Sequence, residues 1–107
     1  MAQSISSKKL GILLSTPPES PDLETVTNLS IAALEQGIEV YLYLLDDGVL
    51  NLDHPCVEGL RTKGVRLFCC AYAAQKRNIQ RSDKAVFGGL FVLSNLMKTC
   101  DQFVAFN

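Results

Sequence analysis

A single three-layer α/β domain, built on a mostly parallel sheet of about four to five strands, is the fold this sequence predicts. Three observations carry that expectation. Short, continuous apolar runs such as Lys9–Ser15 and Ile38–Leu45 recur along the chain, as strands buried on both faces of a parallel sheet do. Segments of helical character separate them, and regular strand–helix alternation favours right-handed crossovers with helices on both faces. The chain has 107 residues, 48% of them apolar, which suits one core.

The first strand, Lys9–Ser15, is broken by Thr16-Pro17-Pro18-Glu19. Ser20 then has the place of an N-cap, Pro21 the first helical position, and Asp22 and Glu24 the first turn. A hydroxyl there accepts an otherwise unpaired amide, and acids face the positive end of the helix dipole. Leu23, Val26, Leu29 and Ala33 recur at near-helical spacing, and Gly37 follows as the C′ residue. Ile38–Leu45 is a second strand, rich in β-branched and aromatic residues. Asp46-Asp47-Gly48 is a turn signal and Asn51–Asp53 a loop.

A second helix starts near His54-Pro55 and stops at Gly64. Val65–Cys69 is a third strand, and Cys70–Arg77 has the alanine content and basic end of a short helix. Asn78–Phe87 is loop, or holds a short fourth strand near Ala85–Phe87. Gly88 and Gly89 precede a last helix in which Leu90, Leu93 and Met97 share a face that Val92 and Leu96 widen. Gln102–Phe106 is the final strand. No repeat, linker or low-complexity segment interrupts the chain, so residues 1–107 are expected to form one domain, with residues 1–8 as a flexible terminus.

Lys plus Arg total 10 and Asp plus Glu 11, a net charge of −1. That balance argues against a broad nucleic-acid or acidic-membrane surface. Met1–Lys9 is polar and lacks the apolar core of a signal peptide. No apolar run approaches the ~20 residues of a membrane helix. The expectation is a cytoplasmic protein with no membrane span, whose four cysteines, Cys56, Cys69, Cys70 and Cys100, are thiols.

In open α/β sheets, sites form beyond the carboxyl ends of the strands. Four segments map there: Thr16–Ser20, Asp46–Gly48, Cys69-Cys70 and the loop ending in Phe87-Gly88-Gly89. Only the third brings a nucleophile. Cys70 sits where a strand gives way to a helix, and helix-start amides stabilise a thiolate. Lys76 and Arg77 add positive potential nearby. The competing reading makes both sulfurs small buried hydrophobes, and for Cys69, which alternates with Leu67, packing is the favoured role. Cys56 and Cys100 read as packing residues. His54 suits a helix N-cap region better than a zinc site, which needs about four convergent ligands. Asp46 and Asp47 are ordinary turn chemistry, and Gly88-Gly89 is too short for a phosphate loop.

With Cys70 placed after a third strand, the chain resembles the DsrE/DsrF/TusD-like family of sulfur-relay proteins. The matching segment is Cys70-Ala-Tyr-Ala-Ala-Gln-Lys-Arg-Asn-Ile79, similar to the family pattern of a cysteine followed by small residues and then an Arg-Gly pair. The apolar first strand followed by a Pro/Ser loop into a long helix is similar. So is the finish, with Gly89-Leu90, Leu93, Leu96, Asp101 and Phe106. Asn78 stands where the family often has Gly, and Asn tolerates a left-handed backbone.

The resemblance implies a DsrE-like fold and a Cys70 that accepts sulfane sulfur as a persulfide and passes it to a partner thiol. It implies sulfur-donor and acceptor proteins or small persulfides as partners. It also implies a homo-oligomer, trimer or hexamer, or a hetero-oligomer with paralogues. Neither a metal nor an organic cofactor is required. Two other classes stand beside it: a non-catalytic oligomeric binding subunit of a sulfur-metabolism complex, and a small-ligand module using Thr16, Gly88 and Gly89 in the two loops Thr16–Ser20 and Phe87–Gly89.

Overall fold

The computed structural model describes residues 8–107. Residues 1–7 of the expected flexible terminus lie outside that range. Lys8 is exposed, yet its carbonyl accepts the Glu39 amide at 2.9 Å. In chain order the elements are β1 (Lys9–Leu14), α1 (Asp22–Glu35), β2 (Glu39–Leu44), a 3-10 helix (Asp46–Asn51), α2 (Pro55–Thr62), β3 (Arg66–Cys70), α3 (Ala71–Lys76), β4 (Val86–Gly88), α4 (Leu90–Thr99) and β5 (Gln102–Phe106). The five strands form one sheet in the order β4-β3-β2-β1-β5, and every pairing is parallel.

Local chemistry sets most boundaries. Ser20 Oγ accepts the Asp22 amide at 3.2 Å, but the N-cap position of α1 is held by Pro21, one residue later than expected, and carries no side-chain cap bond. His54 Nδ1 accepts the Cys56 amide at 3.1 Å, which makes His54 an N-cap. Helices α1, α2 and α3 all end in the same paired motif. In α1 the Gly37 amide reaches Leu34 and the Ile38 amide reaches Ala33. In α2 Gly64 reaches Arg61 and Val65 reaches Leu60; in α3 Asn78 reaches Gln75 and Ile79 reaches Ala74. The motif needs a left-handed residue, supplied by Gly37 (φ 79°), Gly64 (φ 111°) and Asn78 (φ 58°). Asn78 therefore does in α3 what glycine does in the other two.

Crossovers β1-α1-β2, β2-α2-β3 and β3-α3-β4 all step outward in one direction, whereas β4-α4-β5 returns across the sheet. With right-handed crossovers, α1, α2 and α3 cover one face and α4 alone covers the other. On the first face Ile12, Leu14, Val40, Leu42 and Leu44 lie essentially inaccessible under Leu23, Val26, Val57 and Leu60. Burial of each such side chain is worth about 1.5–3 kcal/mol. The second face carries Tyr41, Tyr43, Phe68, Cys70 and Gly88, alternating with the first. A Cβ at Gly88 would sit 2.5 Å from Val92 Cγ2, which marks where α4 presses on β4.

Four expectations need correction. The third strand is Arg66–Cys70, so Cys70 is its last residue. Asn51 is not loop but the buried end of the 3-10 helix. On α4 only Leu96 is buried, with Val92 and Leu93 partly so, whereas Leu90 and Met97 face outward at 69% and 55% exposure. A single short helix cannot cover a five-stranded face, and its apolar stripe is wider than the surface it meets. Cys56 is exposed rather than packed.

Candidate functional site

Cys70 is both the end of β3 and the N-cap of α3. Its backbone is extended (φ −64°, ψ 118°), which turns the sulfur back over the first helical turn, where Sγ accepts the Ala73 amide at 3.5 Å. The thiol thus occupies the place a Ser or Asp fills in an ordinary cap. The residue is only 6% exposed, so the sulfur is covered.

The Gly88-Gly89 turn lies beside Cys70 in the sheet. Gly88 is the register partner of Cys70 on β4. The Tyr43 hydroxyl lies 3.2 Å from the Gly88 carbonyl and 3.2 Å from the Gly89 carbonyl. Burial, and then the neighbouring Cys70 thiol, hold the Tyr43 phenol protonated well above its usual range. Cys69 points to the opposite face, is fully buried, and has its thiol pushed up to about 12 by burial first and Cys70 second. All four cysteines are free thiols.

The remaining candidates are distributed around this centre. Arg77 pairs with Asp47 at 2.9–3.0 Å and donates to the Ala73 carbonyl at 3.2 Å, pinning α3 to the 3-10 helix. Lys76 lies over the exposed Tyr72 ring, 5.5 Å from its centroid. Thr16 Oγ1 donates to Asp22 at 2.9 Å, and the Thr16 carbonyl accepts the Asn51 amide at 2.9 Å. The structure therefore brings Gly88 and Gly89 to Cys70, while Thr16 belongs to the loop that starts α1. Among the described residues no cluster of three or more His, Cys, Asp or Glu has metal-binding geometry.

Tyr43 and Asn51 were not singled out from sequence. Tyr43 reads there as an ordinary strand aromatic, and its reach across β3 depends on strand order. Asn51 donates from Nδ2 to the Thr16 and Gly48 carbonyls, both at 2.9 Å, and ties two carboxyl-edge loops together.

This arrangement of five parallel strands and a cysteine at a carboxyl edge is matched by the sequence profile of the DsrE/DsrF-like family over residues 8–106. The chain belongs to this family. Membership associates it with sulfur relay in general terms. The crystal structure of the ychN protein from E. coli superposes with a TM-score of 0.80 at 21% identity, covering 94% of this chain and 100% of that one. This likeness shows the fold. Among curated proteins none matches. No helix among the described residues is long and apolar enough to cross a membrane.

Proposed function

We propose that the protein is a sulfur-relay carrier that takes sulfane sulfur onto Cys70 and hands it to a partner thiol. The observation that supports this reading best is the Cys70 sulfur itself, set at the carboxyl edge of β3 with an amide donor aimed at it. A donated hydrogen bond favours the thiolate over the thiol, and the thiolate is the nucleophile.

The step conserves atoms and electrons. The Cys70 thiolate attacks the outer sulfur of a donor persulfide, the new S–S bond forms, the donor S–S bond breaks, and the donor leaves as a thiolate that takes up a proton. An acceptor thiolate then attacks the outer sulfur on Cys70 in the same way, restoring the Cys70 thiolate. With Cys70 only 6% exposed, access requires local opening around the sulfur. Lys76, the solvent-facing cation on α3, attracts an anionic donor, and Arg77 fixes α3 in place.

Intact-protein mass spectrometry after incubation with a persulfide donor tests the reading. Wild type should gain the mass of one sulfur, reversibly by a thiol reductant, and Cys70→Ser should gain none. A Cys70→Ser variant that still takes up sulfur sinks the assignment. The burial of Cys70 favours a second reading, the non-catalytic binding subunit. A folded wild type that gains no sulfur and resists mild alkylation at Cys70 selects it.

Either reading includes self-association. Phe91 is 86% exposed, beside Leu90 and Met97 on α4, with Val86 on the neighbouring strand edge. A patch of this kind on a small chain marks a contact surface. The protein is expected to run as an oligomer in light scattering after gel filtration, and Phe91→Asp as a smaller species. Equal masses for both place the contact elsewhere.

A further inference from the structure

Helix α3 is lightly fastened. It has six residues, too few to hold helical form alone. The residues it buries are Ala73 and Ala74, each contributing one methyl group. By contrast α1 buries Leu23 and Val26, and α2 buries Val57 and Leu60. Ile79, just past the end of α3, is partly buried, and residues 80–82 beyond it are exposed and without regular structure. The chain on that side is therefore able to follow a movement of the helix.

Its polar fastening is centred on one side chain. Arg77 Nε and Nη2 donate to Asp47 Oδ1 at 3.0 and 2.9 Å, and Nη1 donates to the Ala73 carbonyl at 3.2 Å. The amide of the same Ala73 is the donor on Cys70 Sγ, at 3.5 Å. Arg77 thus grips the residue that touches the sulfur. Asp47, at the other end of the pair, stands on a fixed base. The 3-10 helix that carries it buries Val49 completely, and Asn51 ties it to the Thr16 and Gly48 carbonyls. Of the two partners, α3 is the one free to move. The pair is also easily released: its side chains are 27% and 54% exposed, so water and salt screen it.

We infer that the Arg77–Asp47 ion pair is the latch on Cys70: α3 is the element that leaves the sulfur, and the pair sets how often it does so. With the pair closed, the Ala73 amide stays on the sulfur and the thiol is covered. With the pair open, α3 swings from the 3-10 helix and the sulfur meets a reaction partner. Arg77 and Asp47 are positioning residues and touch no reacting atom. The inference rests on the reading of Cys70 as the sulfur acceptor, because that reading is what gives the uncovering a purpose.

Two rates test the latch: hydrogen exchange of the α3 amides, read by mass spectrometry on the peptide that carries Ala73, and addition of uncharged iodoacetamide to Cys70, read by peptide mass mapping. Local opening governs amide exchange, and Asp47 is remote in sequence, so Asp47→Asn leaves the intrinsic exchange of these amides unchanged. In Asp47→Asn both rates should rise by one common factor, about two- to fivefold, the range of an exposed ion pair, with exchange in α1 unmoved. Salt is the readout that a merely structural contact would not move. Both wild-type rates should climb together toward about 1 M sodium chloride, and both Asp47→Asn rates should stay level. The wild-type salt series needs no variant, so it decides the matter even if Asp47→Asn does not fold. A rise in one rate without the other overturns the proposal, because a single opening moves both. Wild-type rates indifferent to salt overturn it too, as does exchange in α1 that rises as much as in α3. Neither assay uses a sulfur donor. A latch that responds in a protein that takes up no sulfur refutes the relay reading alone, whereas sulfur uptake on Cys70 with α3 unmoved by Asp47→Asn refutes the latch alone.

Discussion

Gly48→Ala should destabilise the protein by at least about 3 kcal/mol, while Gly59→Ala should stabilise it by about 0.5–1 kcal/mol. A Cβ at Gly48 would lie 1.9 Å from the Leu14 carbonyl oxygen, 2.7 Å from the Leu14 carbonyl carbon and 3.1 Å from Ser15 Cα. Those atoms are backbone at the end of β1, which is held between β2 and β5. The Leu14 oxygen already accepts the Leu45 amide at 3.0 Å, so it cannot withdraw without losing that bond. Asn51 donates to the Gly48 carbonyl at 2.9 Å and closes the arrangement from the other side. Gly59, inside α2, has no atom within 4 Å of the added carbon, and alanine there gains helix propensity. Urea unfolding of the two variants against wild type measures both effects. At about 4–8 °C per kcal/mol, the Gly48→Ala midpoint should fall by about 12 °C or more on heating. Equal stabilities for the two variants would show that the ends of β1 and β2 do not meet as described.

The same glycine shows where sequence reading stops. Asp46-Asp47-Gly48 announces a turn, and a tight turn of 3-10 helix is there. Its reason for glycine is hidden, because the contact with Leu14 joins residues far apart in the chain. Helix limits were legible where the cause was local: His54 at a start, Gly37 and Gly64 at stops, and Asn78 accepting the left-handed position. The extent of the last helical face was not legible. Periodicity names an apolar stripe on α4, but how much of it the sheet covers depends on the β4-to-β5 crossover.

The candidate site divides along the same line. A cysteine at a strand-to-helix turn is a local pattern, and it placed Cys70 correctly at the carboxyl edge. Its burial and its Tyr43 neighbour arise from the order and register of β2, β3 and β4, which no single segment encodes. In the sequence Arg77 reads as positive potential near Cys70. That charge is taken by Asp47, whose approach depends on how the 3-10 helix packs on α3.

Stability should fall steeply as pH rises from about 9 toward 12, and Cys69 should be a main cause. The fold pushes this thiol from its ordinary value near 9.0 up to about 12, chiefly by burying it. A raised thiol pKa means that the folded state favours the neutral form. Its contribution is fully present below pH 9, where folded and unfolded chains both hold the proton. It is lost as pH climbs through 12, at up to about 1.4 kcal/mol per pH unit. Cys100, Tyr41 and Tyr43 are raised as well, so their contributions have the same sign. Cys69→Ala separates the terms. At pH 7 it should be about 1–2 kcal/mol less stable than wild type, through the small cavity it leaves. By pH 10.5 that gap should close or reverse in urea unfolding. A gap that stays constant across the range removes Cys69 as the source. Two adjacent sulfurs face opposite sides of β3: Cys69 is kept a thiol inside the core, and Cys70 is met by an amide at the edge. Buried against the helices of the other face, Cys69 is held as a neutral thiol at neutral pH.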